Sequence, residues 1–225
     1  AARESSVFLT ATKVPGKAHN FSANGFFASE DGLIVTNHHV TAGKIEINAI
    51  DAKGIVRKAK VVAENSRDDL AVIKVDPPEH GFKALNFAQE AAQPGDFVIP
   101  VSRQFGVKGL TIGPGKIESI EQVPIRMSPL GSGSKVTDPV SFNSRDHSFK
   151  FARELEPGAT EVFSERFFGN YFSKRGASGS PLLNGKGEVV GVLSGGYDGK
   201  NYAIPAKSIA EILTEARKNL ASKLK

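Results

Sequence analysis

Hydrophobic residues in this chain fall in short runs divided by Gly, Pro and Asp, and no helical stripe is visible before the last segment. Residues 6–10 (SVFLT), 25–29 (GFFAS) and 33–36 (LIVT) are predicted strands, the last two separated by a Glu30-Asp31-Gly32 turn. Residues 44–50 (KIEINAI) alternate apolar and polar, the period of a half-buried strand. After a turn at Asp51-Ala52-Lys53-Gly54, residues 57–63 and 70–75 are predicted strands. Residues 97–101 follow a Pro94-Gly95-Asp96 turn in the same way. Later come 109–113 and 116–120 around Pro114-Gly115, then 181–183, 189–194 and 202–204. Strands at this spacing, with Gly and Pro between them, point to an all-β barrel or sandwich.

Two segments depart from the pattern. Residues 128–169 open rich in Ser, Gly and Pro and become polar with scattered Phe. They read as a long loop or insertion with one or two short strands, and loops of that length are usually functional or disordered. At the C-terminus the period changes to that of a helix through Ile209, Ile212, Leu213, Ala216 and Leu220. Ser208 and Glu211 form a capping-box pattern at its start. Lys218, Lys223 and Lys225 lie near its end, where the helix dipole favours cations.

Composition narrows the classes. The 225 residues allow one large domain or two small ones. Lys and Arg total 29 against 24 acidic residues, a net +5 spread without blocks, so no nucleic-acid arm is expected. The absence of cysteine excludes a disulfide scaffold, a thiolate metal site and a cysteine nucleophile. No apolar run approaches the roughly 18 residues of a membrane span. The chain opens Ala1-Ala2-Arg3 without Met, a start that fits maturation after signal cleavage or a boundary set elsewhere.

Three segments carry candidate chemistry. Gly176-Ala177-Ser178-Gly179-Ser180-Pro181 sets a serine among small residues ahead of an apolar strand. A tight turn there exposes the hydroxyl and lets backbone N–H groups converge on one point. His38-His39 follow a predicted strand; on extended chain adjacent residues face different ways, so at most one imidazole points at a given site, where it is placed to act as a general base. Without Cys and without HxxxH or HExxH spacing they make no metal site, so no metal or cofactor is expected. Asp68-Asp69 head the strand 70–75, where a carboxylate is able to hold an imidazole in one tautomer. The order His, Asp, Ser is that of chymotrypsin-type hydrolases, and it argues against an α/β-hydrolase esterase.

Taken together these residues resemble the trypsin-like serine proteases, in particular the bacterial HtrA/Deg type. Thr36-Asn37-His38-His39-Val40 is similar to the family's histidine motif, which selects His39. Asp69-Leu70-Ala71-Val72-Ile73-Lys74-Val75 is similar to its aspartate motif, which selects Asp69, and Gly176 to Pro181 resembles its serine motif, with Ser178 as nucleophile. Weaker matches are residues 94–98, Phe105-Gly106, 115–120 and 201–205. Ala177 departs from the Asp or Asn of the family, and Ser180 replaces its second Gly.

The resemblance implies two six-stranded antiparallel β-barrels and a C-terminal α-helix within one domain, 1–225. The first barrel would span about 1–100, the second about 101–205 with the insertion near 128–169, and the helix 206–225. No PDZ domain is expected after it. The implied activity is that of a secreted or periplasmic serine endopeptidase acting on extended or unfolded protein through an acyl-enzyme. His39, Asp69 and Ser178 would form the triad, and the N–H groups of Gly176 and Ser178 the oxyanion hole. Ser194, Gly195 and Gly196 would pair with the substrate main chain, Ser194 also bonding the Asp69 carboxylate. Phe172 and Ser173 would lie near the floor of the primary pocket; with no Asp there and Leu193 nearby, a small or medium apolar side chain is the expected preference. The alternative is a silent or switched-off protease-fold protein that binds a partner.

Overall fold

The computed structural model describes residues 2–13, 21–103, 109–127, 136–137, 141–143, 148–150, 160–171, 176–197 and 200–223. The expectations on Ala1, Phe105-Gly106, Phe172, Ser173 and Lys225, and on much of 128–159, fall outside these residues.

The first half contains a helical turn α1 (Ala2–Ser5), strands β1 (Ser6–Thr12), β2 (Phe21–Phe27) and β3 (Leu33–Thr36), and a second helical turn α2 (His38–Thr41). Strands β4 (Glu46–Ile50), β5 (Val56–Asn65) and β6 (Leu70–Lys74) complete it. All six strands pair antiparallel into a closed barrel in the order β1-β2-β3-β6-β5-β4. Alternation explains which side chains fill it: Val7, Leu9, Ala11, Ile34, Ile47, Ala49 and Ile73 form one buried cluster. Leu33 and Val35, on the other face of β3, belong to a different cluster. That is why residues 33–35 are uniformly apolar: β3 is covered on both faces.

The second half begins with β7 (Phe97–Ser102), β8 (Thr111–Ile112) and β9 (Gly115–Met127). Short strands β10 (Val136–Thr137), β11 (Ser141–Asn143) and β12 (Ser148–Lys150) follow, then β13 (Thr160–Gly169). Strands β14 (Pro181–Leu183), β15 (Val189–Tyr197) and β16 (Lys200–Pro205) lead to the helix α3 (Ala206–Ser222). The second sheet runs β10-β9-β13-β16-β15-β14-β7-β8, and β9 also pairs with β7. β11 and β12 pair with each other.

Three expectations are corrected. Residues 160–169, assigned to the insertion, are a ten-residue strand that pairs with β9 along its length; its polar side chains disguised a strand whose Ser164 and Arg166 are buried by partners from the other half. The two histidines lie in a helical turn, not on extended chain. The capping box is not formed, because α3 starts at Ala206 after Pro205 and has no side-chain cap. Pro205 ends β16 and its fixed φ suits the helix entry.

One apolar cluster joins the parts. Phe26, Leu33, Leu70 and Val72 of the barrel meet Leu183, Val192 and Ile204 of the second sheet and Ile209, Ile212 and Leu213 of α3. Full burial of each such side chain contributes about 1.5–3 kcal/mol. Among the described residues, no helix is long and apolar enough to cross a membrane.

Candidate active site

The functional candidates meet where the barrel faces the second sheet. His39 sits in α2, just after β3. Its Nδ1 lies 2.8 Å from Asp69 Oδ2 and 3.1 Å from Oδ1, and its backbone N–H donates to Oδ1 at 2.9 Å. An imidazole whose Nδ1 is held by a carboxylate exchanges protons through Nε2. The turn that presents Asp69 is held from α2 as well: His38 N–H and Asn37 Nδ2 both donate to the Asp69 carbonyl, at 3.1 and 3.0 Å.

Asp69 is the one described residue other than glycine at positive φ, 54°. Asp tolerates this left-handed conformation better than most residues, and here it turns the carboxylate toward α2 at the head of β6. Burial alone would raise the Asp69 carboxyl. The hydrogen bond and charge of His39, the Ser194 hydroxyl and the His39 N–H outweigh it and hold the group below its ordinary value.

Ser194 comes from the other half. β15 pairs with β16 at Leu193↔Ala203 and then Gly195↔Tyr202, so the register shifts at Ser194. A bulge of this kind re-aims a side chain. Ser194 Oγ donates to Asp69 Oδ2 at 2.5 Å, and the Ser194 carbonyl accepts the Ser178 hydroxyl at 3.0 Å. A continuous set of contacts therefore runs from Ser178 through Ser194 and Asp69 to His39.

The serine turn is shaped by glycine. Gly176 and Gly179 have φ of 88° and 82°, and a Cβ on Gly179 would stand 2.0 Å from the Asn24 carbonyl oxygen. Gly179 N–H donates to the Leu193 carbonyl and Ser180 N–H to that of Ala177. Among the described residues, the N–H groups of Gly176 and Ser178 have no acceptor. Tyr171, fully buried, holds the approach to the turn: its hydroxyl donates to the Phe167 carbonyl at 2.8 Å, and its own carbonyl accepts Asn201 Nδ2 at 2.6 Å. Burial, and then Glu118, push the Tyr171 phenol well above its usual value, so it stays neutral.

The alternatives left open by the sequence have other partners. His38 Nδ1 lies 3.5 Å from Glu64 Oε1. Asp68 turns away from the histidines to Arg67 Nη2, Asn65 Nδ2 and Ser164 Oγ, at 2.7, 2.9 and 2.6 Å. Ser164 Oγ in turn accepts from Arg166, a side chain only 1% exposed. Sequence reasoning missed Ser164, Arg166 and Asn24, because each is defined by a partner far away in the chain. Among the described residues, no group of three or more His, Asp or Glu side chains is placed to hold a metal ion.

A mostly β chain with a closed antiparallel barrel, a facing second sheet and a buried Asp–His pair beside a glycine-bounded serine matches a known class. The family model of the trypsin-like peptidase domain covers residues 23–192, and the chain belongs to this family. Within it the similarity is to the DegP/HtrA serine proteases. A probable periplasmic DegP-like serine endoprotease of Rhizobium meliloti is 32% identical over 197 residues, 84% of this chain and 32% of the relative. Serine protease HTRA1B of Danio rerio is 29% identical over 196 residues, 87% of this chain and 35% of the relative. The chain thus spans about a third of the length of the curated relatives it matches. Among solved structures, the active form of the Rv3671c protease from M. tuberculosis superposes with a TM-score of 0.72 at 22% identity, covering 96% of this chain and 82% of that one. A serine endoprotease from Yersinia pestis gives 0.68 at 19% identity, with 96% and 63% covered.

Proposed function

We propose that the chain is a serine endopeptidase whose nucleophile is Ser178, general base His39 and orienting carboxylate Asp69. The observation that carries this reading is the His39 Nδ1 contact of 2.8 Å with the buried Asp69 carboxylate, linked through Ser194 to the turn that bears Ser178. At rest the Ser178 hydroxyl donates to the Ser194 carbonyl. Activation redirects that proton to His39 Nε2 as Oγ attacks the substrate carbonyl carbon. Asp69 stabilises the imidazolium so formed, which then protonates the leaving amine. The acyl-enzyme is hydrolysed by water through the same base. The N–H groups of Gly176 and Ser178, without an acceptor among the described residues, suit the oxyanion, and losing one such donor typically costs about 100–1,000-fold in turnover.

Ser194, Gly195 and Gly196 are the expected docking edge for extended substrate. β14 stops pairing with β15 at Val192, while β16 covers the opposite edge of Gly195 and Gly196. Strand addition there recognises main chain and tolerates many sequences, which suits unfolded protein as substrate. Phe172 and Ser173 are assigned to the primary pocket by the family resemblance, with an apolar preference. The pairing of β7 with both β14 and β9 supports a second six-stranded barrel of β7, β9, β13, β14, β15 and β16, within a single protease domain. The periplasmic designation of the relatives supports a secreted or periplasmic location.

Fluorophosphonate labelling read by intact mass tests the proposal. One adduct on the wild-type chain and none on Ser178→Ala is the expected result, followed by casein digestion by the wild type alone. A wild-type chain that takes no adduct would overturn it and favour a closed-cleft binding protein.

A further inference from the structure

We propose that Asn24 is a positioning residue for the oxyanion turn, its carboxamide fixing the Gly176 carbonyl and with it the geometry of the N–H donors on either side. The inference rests on the reading of Ser178 as nucleophile. Asn24 lies on β2, in the half of the molecule opposite the turn, and is fully buried. Its Nδ2 donates to the Gly176 carbonyl at 2.7 Å and to the Arg103 carbonyl at 3.1 Å, while its Oδ1 accepts the Arg103 N–H at 2.5 Å. The main chain adds two more bonds, Asn24 N–H to the Ser178 carbonyl at 2.8 Å and Thr36 Oγ1 to the Asn24 carbonyl at 2.7 Å.

The main-chain bonds are open to any residue, but the side-chain bonds need a carboxamide. Two donors and an acceptor on a short stem match two carbonyls and one N–H. A carboxylate of the same shape would face both carbonyl oxygens without a proton to offer, and a methyl would leave all three groups unpaired. Gly176 needs such a restraint. At φ 88° it lacks a Cβ to limit ψ, so its own backbone preference does not select one orientation of the following peptide. The bond to its carbonyl makes that selection, and Asn24 N–H holds Ser178 on the other side of Ala177. The turn is thereby bracketed from β2, and Gly176 N–H and Ser178 N–H are left without acceptors among the described residues. The same carboxamide grips the end of β7 at Arg103, whose Nε donates to the Ser6 carbonyl at 2.8 Å, so the support extends to the first strand.

The test compares wild type, Ser178→Ala, Asn24→Ala and Asn24→Asp by rate of labelling with a fluorophosphonate at several probe concentrations, with thermal unfolding in parallel. Loss of label in Ser178→Ala with a labelled wild type establishes the nucleophile separately; an unlabelled wild type would defeat that reading before Asn24 is judged. The Asn24 variants are expected to keep a cooperative transition and the half-saturating probe concentration, while the maximal labelling rate falls about 10–100-fold, as displacement of catalytic groups by an ångström or so does. A purely structural role would lower the labelled fraction and leave the rate constant of the folded molecules unchanged. Wild-type rates in either folded variant, or failure of both variants to fold, would overturn the proposal.

Discussion

A carboxylate as buried as that of Asp69 would ordinarily hold its proton, and three donors reverse this: His39 Nδ1, Ser194 Oγ and His39 N–H. Its folded value lies below the unfolded one, so its contribution to stability is complete above the ordinary Asp range near about 4 and is lost as pH falls through the folded value. Melting temperature followed against pH is expected to fall on acidification more steeply in the wild type than in Asp69→Asn. The same substitution is expected to lower turnover by about 10⁴-fold, since it favours the wrong imidazole tautomer; kcat on a peptide substrate measures it. In the sequence, Asp68 and Asp69 were equivalent until family resemblance separated them. The physical distinction is a backbone one, the left-handed φ of Asp69, which sends neighbouring carboxylates to opposite partners.

At the scale of elements, the Asp68 carboxylate, the Ser164 hydroxyl and the Arg166 guanidinium tie the turn before β6 to β13. Burial opposes ionisation of Asp68, but Arg67, Ser164 and the charge of Arg166 hold its carboxyl below the ordinary value. Arg166 also reaches the Arg67 carbonyl at 3.5 Å. Removing Arg166 leaves Asp68 its Arg67 and Asn65 partners but takes the charged donor from the Ser164 hydroxyl, and losing a hydrogen bond of that kind costs about 1.5–3 kcal/mol. Arg166→Met is expected to lose that much in urea unfolding, and Asp68→Asn combined with it is expected to cost less than the sum of the two. This network explains why β13 was hidden in the sequence. Its inward face carries Ser164 and Arg166 where the strand pattern calls for apolar residues, because those side chains meet a charged partner from the first half.

At the scale of the whole molecule, the cluster shared by the barrel, the second sheet and α3 makes independent unfolding of either half costly. Ile212, almost fully buried in it, is expected to cost about 2–5 kcal/mol when replaced by Ala. The expected calorimetric result is one transition lowered as a unit, with equal van't Hoff and calorimetric enthalpies. Two separate transitions would show that the halves do not share a core. Asn219 of α3 reinforces the link through its Nδ2 bond of 2.9 Å to the Val62 carbonyl on β5.

By itself the sequence determined the strand-rich architecture and the terminal helix, and it singled out His38-His39, Asp68-Asp69 and Ser178 as candidates, among which only the family resemblance selected His39 and Asp69. Strand period, helix period and short motifs are local, and a local pattern is legible residue by residue. Tertiary structure alone decided the strand at 160–169, the bulge that sends Ser194 to Asp69, the direction of Asp68 and the grip of Asn24 on the serine turn. Asn24 stands 152 residues from Gly176 and 79 from Arg103, and nothing in its own neighbourhood signals either bond. A buried polar side chain takes its meaning from the groups that satisfy it, and those groups arrive only when the chain has folded.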